Sequence, residues 1–191
     1  MARPESALAA AAAGSSAGGS SAALPPGDTS PAVVAAACDF VKSLCISGLR
    51  LRDKMALEII ATALLLLHRH LQRVPLAGDR DAALVLAAAA VHLAGKIRDA
   101  PRHLADTVSH YVAVVKGVAA PQPRTKAWVE AEEAVVRAER QLLHWSGYDV
   151  DVPSPWAPFE AACGRVDPPL AAVESDLAKR AMNELLLLPL C

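Results

Sequence analysis

Aromatic residues are scarce in this chain: two Phe, two Tyr and three Trp, or 4% of 191 residues. A core without many large rings must be filled by Ala, Leu and Val, and a hydrophobic content of 53% supplies them. That composition suits helices packed closely on helices. An excess of charge of one sign is missing too. Nineteen Lys and Arg stand against twenty Asp and Glu, for a formal net charge of −1. Such a chain has no basic field for nucleic acid and no acidic tail for storing cations. Its four cysteines, Cys38, Cys45, Cys163 and Cys191, include no CxxC pair. Cys38 and Cys45 lie on one face of a helix and read as packing, which points to a reduced compartment, cytosol or nucleus. Long apolar runs are also lacking. The stretches 59–67 and 82–95 fall short of the roughly 18–20 residues a membrane-spanning helix needs.

What is present divides the chain into three parts. Residues 1–30 are dominated by Ala, Ser, Gly and Pro and read as a disordered tail. The "ALAAAAAG" within it lacks bulky apolar residues and follows Glu5, so it reads as low complexity rather than a signal peptide. Residues 31–150 carry five helical patterns. The first runs from Pro31 to about Ser47, with Ser30 as its expected cap and Pro31 at the first helical position. The second runs from Asp53 to about Arg73, where Pro75 stops it. The third starts at Gly78–Asp79 and ends near Lys96. The fourth begins at Pro101 and ends near Gly117, and the fifth runs from Thr125 to about Ser146, with Gly147 after it. Residues 151–191 form a C-terminal extension ending in a leucine-rich stretch, 185–188. No segment sustains a period of two, so the fold class is all-α. The third pattern, "AALVLAAAAVHLAG", is apolar on nearly every side. It is expected at the centre, wrapped by the other four.

That central helix stops on a lysine, Lys96. A cation there meets the negative end of the helix dipole, worth roughly 0.3–1 kcal/mol, while its stem lies on apolar surface. Other chemistry is thinly represented. The six histidines show no metal-site spacing and read as surface or edge residues. Gly95–Lys96 lacks the glycine and the Ser/Thr of a phosphate loop, and no nucleophile elbow occurs. Arg50, Arg52 and Lys54 read as a solvated helix start. Trp128, Trp145 and Trp156 are expected to anchor the fifth helix and the following strap in the core.

Three segments together resemble a known family. "LAGKIRDAPRHLADTV" (93–108), "RAERQLLHWSGYDVDVPSPW" (137–156) and "LLLHRHL" (65–71) resemble, in order, the third-to-fourth-helix, fifth-helix and second-helix motifs of the transcription-linked cyclins. The resemblance covers about 31–160. It implies a five-helix cyclin box with a central Ala-rich helix, followed by a partial second box in 151–191. It implies a regulatory subunit that binds and activates a cyclin-dependent protein kinase, chiefly in the nucleus, with no catalysis, cofactor or metal of its own. In that family a lysine ending the third helix and a glutamate on the fifth bond to backbone groups beside the kinase C-helix. The matching residues are Lys96 and Glu139. Leu93, Ile97, Leu143 and Tyr148 would surround them with an apolar patch, the usual build of a hot spot, though Leu93 and Leu143 read equally well as core.

The sequence departs from the family in places. Arg98 and Asp99 stand where two acids often follow the lysine. The first helix, "VVAAACDFVKSL", lacks the substrate-docking motif of the cell-cycle cyclins, and the second half is short. The alternative reading is a cyclin-fold protein without kinase activation: a degenerate cyclin, or a scaffold resembling transcription initiation factor IIB. The latter would require a basic face, which the charge balance disfavours.

Overall fold

Helix limits in this protein follow local stop signals closely. A computed structural model describes residues 30–76, 78–118, 123–154, 156–165 and 180. Helix α1 spans Pro31–Ser43 and widens into a π-helical turn, Leu44–Gly48. There follow α2 (Asp53–Leu71), α3 (Arg80–Ile97), α4 (Leu104–Lys116), α5 (Lys126–Trp145) and a short α6 (Trp156–Cys163). Among the described residues there is no strand, so the protein is all-helical. The tail 1–29 and the leucine-rich stretch 185–188 lie outside the described residues.

Helix α3 is the centre. It packs against α1, α2, α4 and α5. Every residue from Leu86 to Gly95 is buried. Six of its alanines, at 83, 87, 88, 89, 90 and 94, are fully enclosed. Small side chains let the surrounding helices come close. Those helices bring the volume: Leu44, Ile59, Leu67, Val108 and Val135 are all but inaccessible to water. Burying each such side chain contributes about 1.5–3 kcal/mol. Asp79 starts α3, its carboxylate accepting the Ala82 N–H at 3.0 Å, as an N-cap should.

Several expectations need correction. The Ser30 side chain makes no capping bond; its carbonyl instead accepts from Val33 and Val34. The α4 helix begins at Leu104, not Pro101, because residues 98–103 are used to reverse the chain after α3. His70 and His92 are buried, so two of the six histidines are neither surface nor edge residues, and His68 and His110 are half-buried. They lie on inward stripes of their helices. Trp128 is buried, but Trp145 is 45% exposed and stands outside the hydrophobic core. The Trp156 side chain lies outside the described residues. One stretch, Pro31–Gly48, is long and apolar enough to pass for a membrane span. In this fold Val33, Ala37, Phe40, Val41, Leu44 and Cys45 from that stretch belong to the core.

Candidate functional site

The sequence places Lys96 near the end of α3, and the local backbone explains how it is held. Two hydrogen bonds close the helix: Ala100 N–H to the Gly95 carbonyl at 2.9 Å, and Arg98 N–H to the Ala94 carbonyl at 3.0 Å. Asp99 takes the left-handed conformation between them, φ 52°, a role glycine usually fills and Asp tolerates. A Cβ on residue 95 would stand 3.2 Å from the Ala100 carbonyl oxygen. Glycine at 95 therefore lets the chain turn tightly just beside Lys96. Helix α5 ends in the same manner. Tyr148 N–H bonds to the Leu143 carbonyl at 2.9 Å and Gly147 N–H to that of His144 at 3.0 Å.

Lys96 and Glu139, 43 positions apart in the chain, come together across the α3–α5 contact. The lysine Nζ donates to Glu139 Oε1 at 2.6 Å. The pair is lopsided. The Lys96 side chain is 47% exposed, whereas the Glu139 side chain is 11% exposed. One charge thus reaches solvent while its partner sits in the wall of the bundle. His92 lies one turn before Lys96 and is buried, with Nδ1 unbonded. Burial pushes its pKa down, the Lys96 charge lowers it further, and Glu139 partly offsets them. His92 is therefore neutral near pH 7.

The apolar residues expected around the pair take different places. Leu93 is buried and belongs to the core. Ile97 and Leu143 are half-buried against it. Tyr148 is 70% exposed, with φ 61°, a conformation rarely taken by a bulky side chain. Of the four expected residues, Ile97, Leu143 and Tyr148 thus keep apolar surface open to solvent.

Beside the pair lies a polar knot that sequence reasoning missed. Arg98 Nε donates to Thr62 Oγ1 at 2.7 Å, and its Nη2 donates to the Val152 carbonyl at 2.9 Å. Its charge also stands 3.6 Å from Glu58 Oε2. Ser154 Oγ donates to Glu58 Oε1 at 2.7 Å. The knot ties the end of α3 to α2 and to the strap 149–154 that follows α5. Arg98, which departs from the family pattern, is spent on internal contacts. The available signal was the polar pair Glu58 and Thr62, four apart on an otherwise apolar stretch of α2. Nothing in the spacing named Arg98 as their partner.

Two hollows lie elsewhere. A cleft of about 350 Å³ opens where α2 and α5 end, lined by Arg69, His70, Arg73, Trp145 and Asp149 among others. There the Arg73 guanidinium donates to the Trp145 carbonyl, and His70 meets the Trp145 ring edge-on at 6.4 Å. A larger groove, about 630 Å³, runs between α3 and α5 over Val85, Leu86, Ala134 and Ala138. Neither is lined by Lys96 or Glu139. Among the described residues no three His, Cys, Asp or Glu side chains are grouped to hold a metal ion.

Comparison with known proteins adds no name to this site. No protein-family model matches the chain, and no curated protein matches it.

Proposed function

We propose that this protein is a cyclin-type regulatory subunit, which binds and activates a cyclin-dependent protein kinase of the transcription-linked group. The observation that carries this reading is the Lys96–Glu139 pair at the end of a central, alanine-rich helix in a five-helix bundle. An ammonium that is bonded yet half in water is suited to a partner's backbone carbonyl. A carboxylate fixed beside it is suited to a backbone N–H. As a partner covers them, water leaves and the charge-assisted bonds strengthen. Removing one member of a covered pair of this kind typically costs about 2–5 kcal/mol of binding. Ile97, Leu143 and Tyr148 would add apolar contact around it.

Activation in this reading is a population shift. A kinase needs a lysine–glutamate pair between its β3 strand and its C-helix. A subunit that binds only the conformation with the C-helix swung in draws the kinase toward that state. Nuclear localisation belongs to the same proposal.

A second reading, a cyclin fold that does not activate a kinase, is favoured by Arg98. The family often presents an acid there; here an arginine turns inward. One experiment separates the two. The purified chain is mixed with each of a panel of purified cyclin-dependent kinases, and both complex formation and peptide phosphorylation are measured. The expected result is a kinase that is bound and stimulated by wild type and by neither Lys96→Ala nor Glu139→Ala, both variants remaining folded. Binding without stimulation selects the second reading. No binding to any kinase of the panel removes the first.

A further inference from the structure

The strap 149–154 is held to the bundle by tethers that share one neighbourhood, among them Ser154 Oγ on Glu58 and Arg98 on the Val152 carbonyl. Ser154 is followed in sequence by Pro155, and the serine–proline dipeptide is the recognition element of proline-directed protein kinases. The residues before it lie in no helix, and Asp151 and Pro153 are exposed. We propose that Ser154 is a phosphorylation site for a proline-directed serine/threonine kinase, and that its modification releases the strap from α2.

The chemistry is an ordinary phosphoryl transfer. Ser154 Oγ attacks the γ-phosphorus of ATP, an O–P bond forms, the bond to ADP breaks, and the hydroxyl proton passes to the kinase's base. The consequence follows from charge. Before modification Ser154 is a donor to a carboxylate that is itself largely buried, and Glu58 and Arg98 balance each other. Phosphoserine has lost that donor. It places about −1.5 to −2 charges, all acceptor oxygens, beside Glu58, where like-charge repulsion and desolvation disrupt the contact. Glu58 Oε2 is buried and makes no hydrogen bond; the Arg98 Nε, 3.6 Å away, balances its charge. Arg98 is a cation of the same knot. As it turns to the phosphate it lets go of the Val152 carbonyl, and the second tether goes with the first. Ser154 is half-buried in the closed form, so the kinase captures a strap that has opened, and the phosphate then keeps it open.

The test uses the full chain carrying Ser30→Ala, which removes the dipeptide Ser30–Pro31 at the start of α1. A free peptide covering 148–158 is used to choose a proline-directed kinase that modifies it. The folded protein is then treated with that kinase and ATP, the site is located by mass spectrometry, and amide exchange is measured over 148–154. The expected result is modification at Ser154 and exchange in the strap at least ~10-fold faster, with the five-helix core unchanged. In Glu58→Gln, which removes the like charge but keeps an acceptor for Ser154, the phosphate accelerates exchange by less than about threefold. The proposal is overturned if no such kinase modifies the peptide, or if the peptide is modified and the folded chain is not. It is overturned equally if Ser154 carries phosphate and strap exchange is unchanged.

Discussion

The Lys96–Glu139 pair makes a prediction about stability that does not depend on any partner. Its two members differ in exposure, 47% against 11%, so their removal should differ in cost. Lys96→Ala strands a carboxylate in the α3–α5 wall. A fully buried stranded charge costs about 3–5 kcal/mol, and an exposed pair is worth about 0–1 kcal/mol. Glu139 lies between these limits and nearer the buried one, which gives about 3 kcal/mol. Glu139→Ala leaves an ammonium that swings fully into water on a flexible stem. It still faces the negative end of α3, so the cost is about 0.5 kcal/mol. The double variant strands nothing and should be less destabilised than Lys96→Ala alone. Urea unfolding followed by circular dichroism reads all four proteins, provided the slope with denaturant is constant. A Glu139→Ala cost equal to or above that of Lys96→Ala would refute the argument, and so would strict additivity in the double variant.

Three further outcomes follow from the same reasoning. Arg98→Ala should cost about 2–4 kcal/mol, because it leaves Thr62 and Glu58 buried without their cation. Amide exchange over 149–154 should rise with it, and an unchanged strap would contradict the assigned tether. Stability should fall in acid. The pKa values of His68, His70, His92 and His110 are all lowered by burial. Below the unfolded value of about 6.5 the unfolded chain takes up protons that the folded chain refuses, so their contribution is whole above that pH. It is lost as pH falls through the lowered folded values, at up to about 1.4 kcal/mol per proton per pH unit. A Tm that does not drop between pH 7.5 and 5.5 would refute this. Cys45 is enclosed and its thiol is pushed up to about 12; Cys38 is only half-buried. A maleimide should therefore label Cys38 in the native protein and reach Cys45 only on unfolding, as mass spectrometry of a labelling time course would show.

The helices were legible because their signals are local. Asp79, Gly117 and Gly147 each mark a helix end that the structure keeps. The unbroken apolar face of α3 announced a surrounded helix, since no amphipathic helix needs alanine on every side. Pro101 misled because a first-turn preference is weaker than the chain reversal that residues 98–103 must accomplish. The buried histidines were missed for a different reason. Periodicity says which face points inward, but not that a ring nitrogen is tolerated there. The meeting of Lys96 and Glu139 was visible only through a resemblance. Nothing in the 42 intervening positions encodes it locally. The Arg98 knot draws on α2, the end of α3 and the strap, and no sequence pattern links the three.

The alanines of α3 bear on what ordering this chain costs. A leucine locked in a core gives up about 0.5–1 kcal/mol of rotamer freedom; an alanine has none to give up. Six enclosed side chains on the central helix therefore freeze nothing but their own backbone, in the residue type with the strongest intrinsic preference for that backbone. Most of the rotatable side-chain bonds of the interior belong to the helices around it, α3 adding those of Leu84, Leu86, Val91, His92 and Leu93. Warming such a bundle loosens its outer layer of leucines and valines first. The alanine methyl groups of α3 stay as stiff as the chain they hang from, an inverted profile that methyl relaxation would reveal.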